Sequence, residues 1–184
     1  KFNHETGKIT LVDMLRCELE SAPRIIKFSP DGRFAYLICE LKNYISVYSY
    51  KDGPRGPVFE LLQTISTLND YHSSGSAACV LRFSRDWKYV LCSNAGDNSI
   101  GIFEIDRETG KLEKICILPI SGDYPKAADF FPDNRHIMSL NHETNTMTIF
   151  KINYEKKYFS MWGKPLKVET PNCILVSEIE KLPG

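Results

Sequence analysis

Three stretches of this chain share one layout, and that internal repeat restricts the folds open to it more than any other feature. The first runs from Pro23 to Ile38 and turns at Asp31-Gly32. The second runs from Cys79 to Cys92 and turns at Asp86-Trp87, and the third runs from Pro125 to Met138 and turns at Asp133-Asn134. The three aspartates are spaced 55 and then 47 residues apart. Each copy continues with a polar turn (Lys42-Asn43, Gly96-Asp97-Asn98, Glu143-Thr144-Asn145) and then an alternating run: Tyr44 to Tyr50, Ser99 to Ile105, Thr146 to Ile152. A more polar segment closes the unit, as in Glu60 to Ser66 and Lys111 to Leu118. β-Branched and aromatic residues fill these runs and turn residues bound them, which is how strands read. No stretch of ten or more residues carries a 3.6-residue period, so helix should be nearly absent.

Four short antiparallel strands in roughly 45 to 55 residues make one blade of a β-propeller. The second strand of the first unit, Tyr36-Leu37-Ile38-Cys39, is apolar on both faces, as a blade packed between two others requires. An immunoglobulin-like sandwich would alternate more cleanly and would not repeat three times. The fold expected is all-β: a partial β-propeller of three complete four-stranded blades, about 22–68, 77–121 and 124–169, with an extra strand at each end. Glu5-Thr6-Gly7-Lys8 echoes Glu108-Thr109-Gly110-Lys111, so 8–18 reads as the outer strand of a preceding blade. Residues 171–177 read as the inner strand of a following one. The whole is expected to be the C-terminal part of one larger propeller domain, its open faces covered by missing N-terminal blades or by self-association.

Composition narrows the partners. The 184 residues are 42% hydrophobic, with 23 basic against 23 acidic side chains. Zero net charge argues against nucleic acid or an anionic membrane as the main partner. No apolar run approaches the roughly 20 residues that cross a bilayer. The six cysteines lie mostly within apolar stretches, none in a Cys-x-x-Cys pair, and there is no Asn-x-Ser/Thr acceptor. They read as reduced, buried thiols of a cytoplasmic protein.

In a propeller the loops at one mouth of the central channel build the site. A bend centred on Gly32 makes Arg24 and Glu40 direct cross-strand partners at the open end of the inner hairpin, given a ladder without a bulge. Transposed to the other repeats, the same positions hold Cys79 with Ala95 and Lys126 with His142, with Asn94 and Asn141 beside them. The rim is thus a set of anion-binding groups around one carboxylate, or else a ring of solvated strand-end charges. His72 lies in the long loop after Leu68 and reads as a surface residue or a visitor to the same mouth. The recurring Asp31, Asp86 and Asp133 are turn chemistry, His4 and His136 fall on turns, and Trp87 and Trp162 read as packing residues. No Gly-rich phosphate loop, Ser-His-Asp order or metal-ligand cluster stands out.

Pro23-Arg24, Phe28-Ser29-Pro30-Asp31-Gly32 and Glu40-Leu41, followed by Leu61 to Leu68, Ser93-Asn94 and Asp97 to Ile100, resemble the motif order of the seven-bladed β-propeller lactonases, which include the propeller-type 6-phosphogluconolactonases. The resemblance matches the C-terminal half of such proteins. It implies a lactone-opening hydrolase acting on a sugar or sugar-acid lactone without metal or cofactor, with a small anionic lactone or sugar acid as partner. Glu40 would be the general base and Arg24 the group holding an anion or developing oxyanion. Lys126, His142, Asn94, Asn141, Arg82 and His72 complete the expected substrate-binding set. The chain departs from the family pattern at Ile25 and Arg82 (both His in the family), Cys39 (Asn), Ala95 (Arg) and Lys126 (Arg). The alternatives are a non-catalytic propeller that binds an anionic metabolite or a protein at this mouth, and a cycloisomerase of muconate-type acids.

Overall fold

Residues 1–54, 56–72 and 74–177 are described by a computed structural model. Among the described residues there are fourteen strands and no helix. The strands are β1 (Pro23–Phe28), β2 (Phe34–Cys39), β3 (Tyr44–Gly53), β4 (Gly56–Ser66), β5 (Ala77–Ala78), β6 (Arg82–Phe83) and β7 (Tyr89–Ala95). They continue with β8 (Ser99–Ile105), β9 (Leu112–Pro119), β10 (Pro125–Phe130), β11 (His136–Asn141), β12 (Thr146–Asn153), β13 (Tyr158–Met161) and β14 (Leu166–Lys167). Every pairing is antiparallel, and the three sheets are β1-β2-β3-β4, β5/β6-β7-β8-β9 and β10-β11-β12-β13/β14. Two edges are broken: the inner edge of the second sheet is split into β5 and β6, and the outer edge of the third into β13 and β14.

The blades pack face to face. One apolar core lies between the first and second, built on Tyr36, Ile38, Ile45, Val47, Leu81, Val90 and Phe103. Another lies between the second and third, built on Leu91, Ile100, Ile102, Phe130, Ile137 and Phe150. β2 is buried along its whole length because its two faces are covered differently: Phe34, Tyr36 and Ile38 lie in the core shared with the second blade, while Ala35, Leu37 and Cys39 lie under Tyr48, Tyr44, Phe59 and Cys17.

Two side-chain staples repeat at the blade junctions. The turn between a blade's second and third strands places an asparagine at positive φ (Asn43 50°, Asn98 54°, Asn145 54°). Each reaches the segment entering the next blade. Asn43 Nδ2 donates to the Ser76 carbonyl (2.9 Å), Asn98 Oδ1 accepts from Tyr124 N–H (2.8 Å), and Asn145 Oδ1 accepts from Thr170 N–H (2.6 Å). Asparagines at the ends of β7 and β11 reach the other way. Asn94 Nδ2 donates to the Thr67 carbonyl (2.8 Å) and Asn141 Nδ2 to the Ser121 carbonyl (3.2 Å), each at the exit of the preceding blade. Gly122, at φ +141°, is required there: a Cβ would stand 2.3 Å from Asn141 Nδ2.

The end segments expected as strands of neighbouring blades join none of the three sheets among the described residues. Residues 8–18 and 171–177 form no strand, and the N-terminal segment makes only an isolated bridge between Phe2 and Ile9. Both are held by side-chain contacts: Lys42 Nζ reaches Glu18, and the Val176 carbonyl accepts from Arg85 Nη2 at 2.6 Å. Apolar groups on the outward face of the first blade are left exposed, among them Ile26, Phe28 and Leu61. No helix among the described residues is long and apolar enough to cross a membrane.

Candidate functional site at the channel rim

The hairpin register differs from the one expected, and the difference positions the site. Ser29 N–H donates to the Phe34 carbonyl (2.9 Å), closing a loop of Pro30 to Arg33. Four loop residues put the bend between Asp31 and Gly32, so Ile26 pairs with Leu37 and Lys27 with Tyr36. Direct pairing of Arg24 with Glu40 is therefore lost. The ladder then shifts again between Pro23 and Ile25, where Pro23 pairs with Cys39 and Arg24 is the extra residue. A bulge re-aims the side chain it carries. Arg24 swings to the strand end, where its Nη1 donates to Glu40 Oε2 at 2.7 Å. The third blade repeats the shift between Pro125 and Ala127, with Lys126 as the extra residue. In the second blade it falls in the gap between β5 and β6, at Cys79.

The bulges align Arg24, Cys79 and Lys126 on three successive inner strands. One backbone and one side-chain hydrogen bond fix the strands at this level: Ala78 N–H donates to the Glu40 carbonyl (3.0 Å), and Ser93 Oγ donates to the Pro125 carbonyl (2.7 Å). Cys79 is almost wholly buried, and burial pushes its thiol pKa up. The charge of Arg24 opposes that shift, and Glu40 and Lys126 also act on the thiol. Arg24 holds its proton more firmly than a free arginine, chiefly through the hydrogen bond to Glu40, with burial opposing. Tyr124, whose composition and spacing gave no sign of a role, also belongs here. The Asn98 staple holds its backbone, its ring lies 5.8 Å from Lys126 Nζ, and it contributes to the field at Arg24. The rim thus carries a guanidinium, an ammonium and one carboxylate. With side-chain exposures of 40% and 30%, the Arg24–Glu40 pair is reachable by a solute. Among the described residues no hydrogen bond engages Glu40 Oε1.

The remaining expected residues divide. Asn94 and Asn141 are fully buried and serve as the staples described above. Asn141 Nδ2 also donates to Thr146 Oγ1 and Thr148 Oγ1, while its Oδ1 accepts from Ser139 Oγ. Neither side chain is exposed at the rim surface. His142 Nδ1 meets the Pro171 carbonyl (3.2 Å), and among the described residues nothing joins it to Lys126 or Glu40. His72 lines a cleft with Asn69, Tyr71, Asp97, Ser99, Ile117 and Pro119, in which Arg24 and Glu40 take no part. Arg82 sits lower on the inner edge, its Nε 3.7 Å from Asp129 Oδ2, and with Lys27, Arg85 and Asp129 it lines a cleft of about 340 Å³. Burial raises the Asp129 pKa, and Arg82 opposes the shift. Among the described residues no group of three or more His, Cys, Asp or Glu side chains is arranged to hold a metal ion.

The sequence pattern described as "Lactonase, 7-bladed beta-propeller" matches residues 1–176. The chain belongs to this lactonase family. It is 36% identical over 170 residues to an uncharacterized protein of Lactococcus lactis subsp. cremoris, covering 92% of this chain and 49% of that one. It is 25% identical over 154 residues to the 6-phosphogluconolactonase of Bacillus subtilis, covering 84% of this chain and 44% of that enzyme. A crystal structure of a Lactobacillus plantarum protein superposes with a TM-score of 0.80 at 26% identity, covering 90% of this chain and 48% of that one. The chain spans about half the length of the curated relatives it matches.

Proposed function

We propose that this part of the propeller supplies the reacting groups of a lactonase that opens a sugar or sugar-acid lactone of the 6-phosphogluconolactone type. The observation that carries the reading is the Arg24–Glu40 contact at the bulged strand end, within a chain of the lactonase family. Glu40 Oε1 takes a proton from a water molecule as the water oxygen attacks the ring carbonyl carbon. The carbonyl oxygen becomes an oxyanion held by Arg24, with Lys126 adding positive charge. Collapse of the tetrahedral centre breaks the ring C–O bond, and the leaving alkoxide takes the proton from Glu40. The product is the ring-opened hydroxy acid, and Glu40 is restored. Arg24 has the fork geometry for an oxyanion or carboxylate, whereas Lys126 acts as a point charge.

The B. subtilis relative's printed name, 6-phosphogluconolactonase, supports the substrate class. Six free cysteines support a reducing, cytoplasmic location. The exposed apolar face of the first blade supports covering by further blades of the same propeller, which complete the channel wall opposite Arg24.

The test is hydrolysis of 6-phosphogluconolactone and of gluconolactone by the full-length protein and by Glu40→Gln. The reading predicts that the variant loses about 10²- to 10⁴-fold in kcat/KM, the usual contribution of a positioned base. Equal rates remove Glu40 from the mechanism. Saturable binding of a sugar acid with no turnover by either protein replaces the lactonase with an anion-binding propeller.

A further inference from the structure

The opposite rim of the channel carries a different kind of site. The turn joining each blade's first two strands needs one residue at positive φ, and two blades fill it with residues suited to that region: Gly32 at 69° and Asn134 at 54°. The second blade uses Trp87 at 56°. A bulky side chain in the left-handed region is an outlier, and such strain gathers where a side chain is needed for something other than the turn. Trp87 stacks on Phe83 with centroids 4.3 Å apart and planes 25° from parallel, and Phe83 meets the edge of Tyr36 at 5.2 Å. Trp87, Tyr36 and Phe34, with Ile105, line a cleft of about 290 Å³ between the first and second blades.

Charge at the cleft is unbalanced. Asp31 is held by Arg33 Nε at 2.6 Å, and Asp86 by Ser84 Oγ at 2.7 Å with Lys88 Nζ at 3.8 Å. Both aspartates are therefore neutralised locally. Arg107 differs: its Nη2 donates to the Asp86 backbone carbonyl, and among the described residues it pairs with no carboxylate. Its backbone is fixed in turn, since its own carbonyl accepts from Arg33 Nη2 at 2.8 Å. A guanidinium has five N–H donors, so most of those of Arg107 remain for a ligand.

We propose that this cleft binds a small planar aromatic carboxylate, its ring against Trp87 and its carboxylate on Arg107. The cleft lies at the far end of the inner strands from Arg24, roughly 20 Å away at about 3.3 Å of rise per residue. The site is independent of the lactonase reading.

The test is calorimetric titration of the full-length protein with indole-3-carboxylate and with its uncharged methyl ester. Wild type should bind the carboxylate saturably. Trp87→Gly, which suits the turn, should keep the folded circular-dichroism spectrum and the wild-type lactone hydrolysis rate while weakening carboxylate binding at least tenfold. Arg107→Gln should weaken the carboxylate at least tenfold and leave the ester unchanged, with Arg107→Lys intermediate. Absence of saturable binding by wild type, or undiminished binding by Trp87→Gly and Arg107→Gln, overturns the proposal.

Discussion

The two rims of the channel are built from the same repeat and use it in opposite ways. At the turn rim equivalent positions keep one chemistry. Asp31 Oδ1 accepts from Ser29 Oγ (2.6 Å) and Asp86 Oδ1 from Ser84 Oγ (2.7 Å), and Asp133 Oδ1 accepts from the N–H groups of Arg135 and His136. At the bulge rim equivalent positions diverge: Arg24, Cys79 and Lys126 on the inner strands, Glu40, Ala95 and His142 across from them. Within a repeat, a residue that recurs answers a demand every unit makes, such as closing a turn. A residue that changes while its backbone position stays fixed is released from that demand and can serve chemistry. Trp87 is the exception that supports the rule, because it breaks the pattern on the recurring rim and lines a cleft.

The sharpest way to break this contrast is to give the first blade the second blade's residues. Arg24→Cys together with Glu40→Ala should lower lactone kcat/KM by about 10²- to 10⁴-fold. The melting temperature should hardly move, because an ion pair this exposed contributes only about 0–1 kcal/mol. Activity that survives the exchange would make the divergent positions ornamental.

Next in size is a stability effect. Asn141→Ala removes hydrogen bonds to Ser121, Ser139, Thr146 and Thr148 from a fully buried site, and should cost about 2–3 kcal/mol in urea unfolding. Asn94→Ala should cost less, about 1 kcal/mol, because among the described residues its Oδ1 has no hydrogen-bond partner to lose. Equal costs would contradict the assignment of Asn141 as the stronger staple. Smaller again is Trp87→Gly, where relief of the left-handed backbone offsets lost stacking, so unfolding should shift by no more than about 1 kcal/mol.

The smallest effect concerns the recurring rim. Hydrogen bonds from Ser29 and then Arg33 hold the Asp31 carboxyl at about 2, against an ordinary 3.8. The fold favours the ionised form, so this contribution is present above about pH 3.8 and disappears as pH falls through about 2. Wild type should melt slightly above Asp31→Asn at pH 5, and the gap should close by pH 2. A gap that widens in acid would reverse the sign.

Much of the fold was legible because each blade announces itself locally: a turn motif, an alternating run and a closing strand recur in order. The end segments 8–18 and 171–177 read as strands of neighbouring blades, and among the described residues they join none of the three sheets. At the site, Arg24 and Glu40 were legible from hairpin geometry, although the geometry assumed was wrong in detail. A four-residue loop and a bulge shift the ladder, and the reach of an arginine closes the gap. The bulge itself has no signature in Pro23-Arg24-Ile25. Asn94 and Asn141 are harder to place, because a buried asparagine that ties two blades together reads, in one dimension, like a polar group at a channel mouth. Tyr124 was missed because its role depends on the Asn98 staple from the preceding blade.

The central claim is that Arg24 and Glu40 act as one unit on a lactone, and a double-mutant cycle on kcat/KM tests it most directly. Arg24→Gln and Glu40→Gln should each lower kcat/KM for 6-phosphogluconolactone, and the double variant should fall little below the worse single, because groups acting together are far from additive. Two single effects that simply multiply in the double variant, or singles as active as wild type, would contradict it.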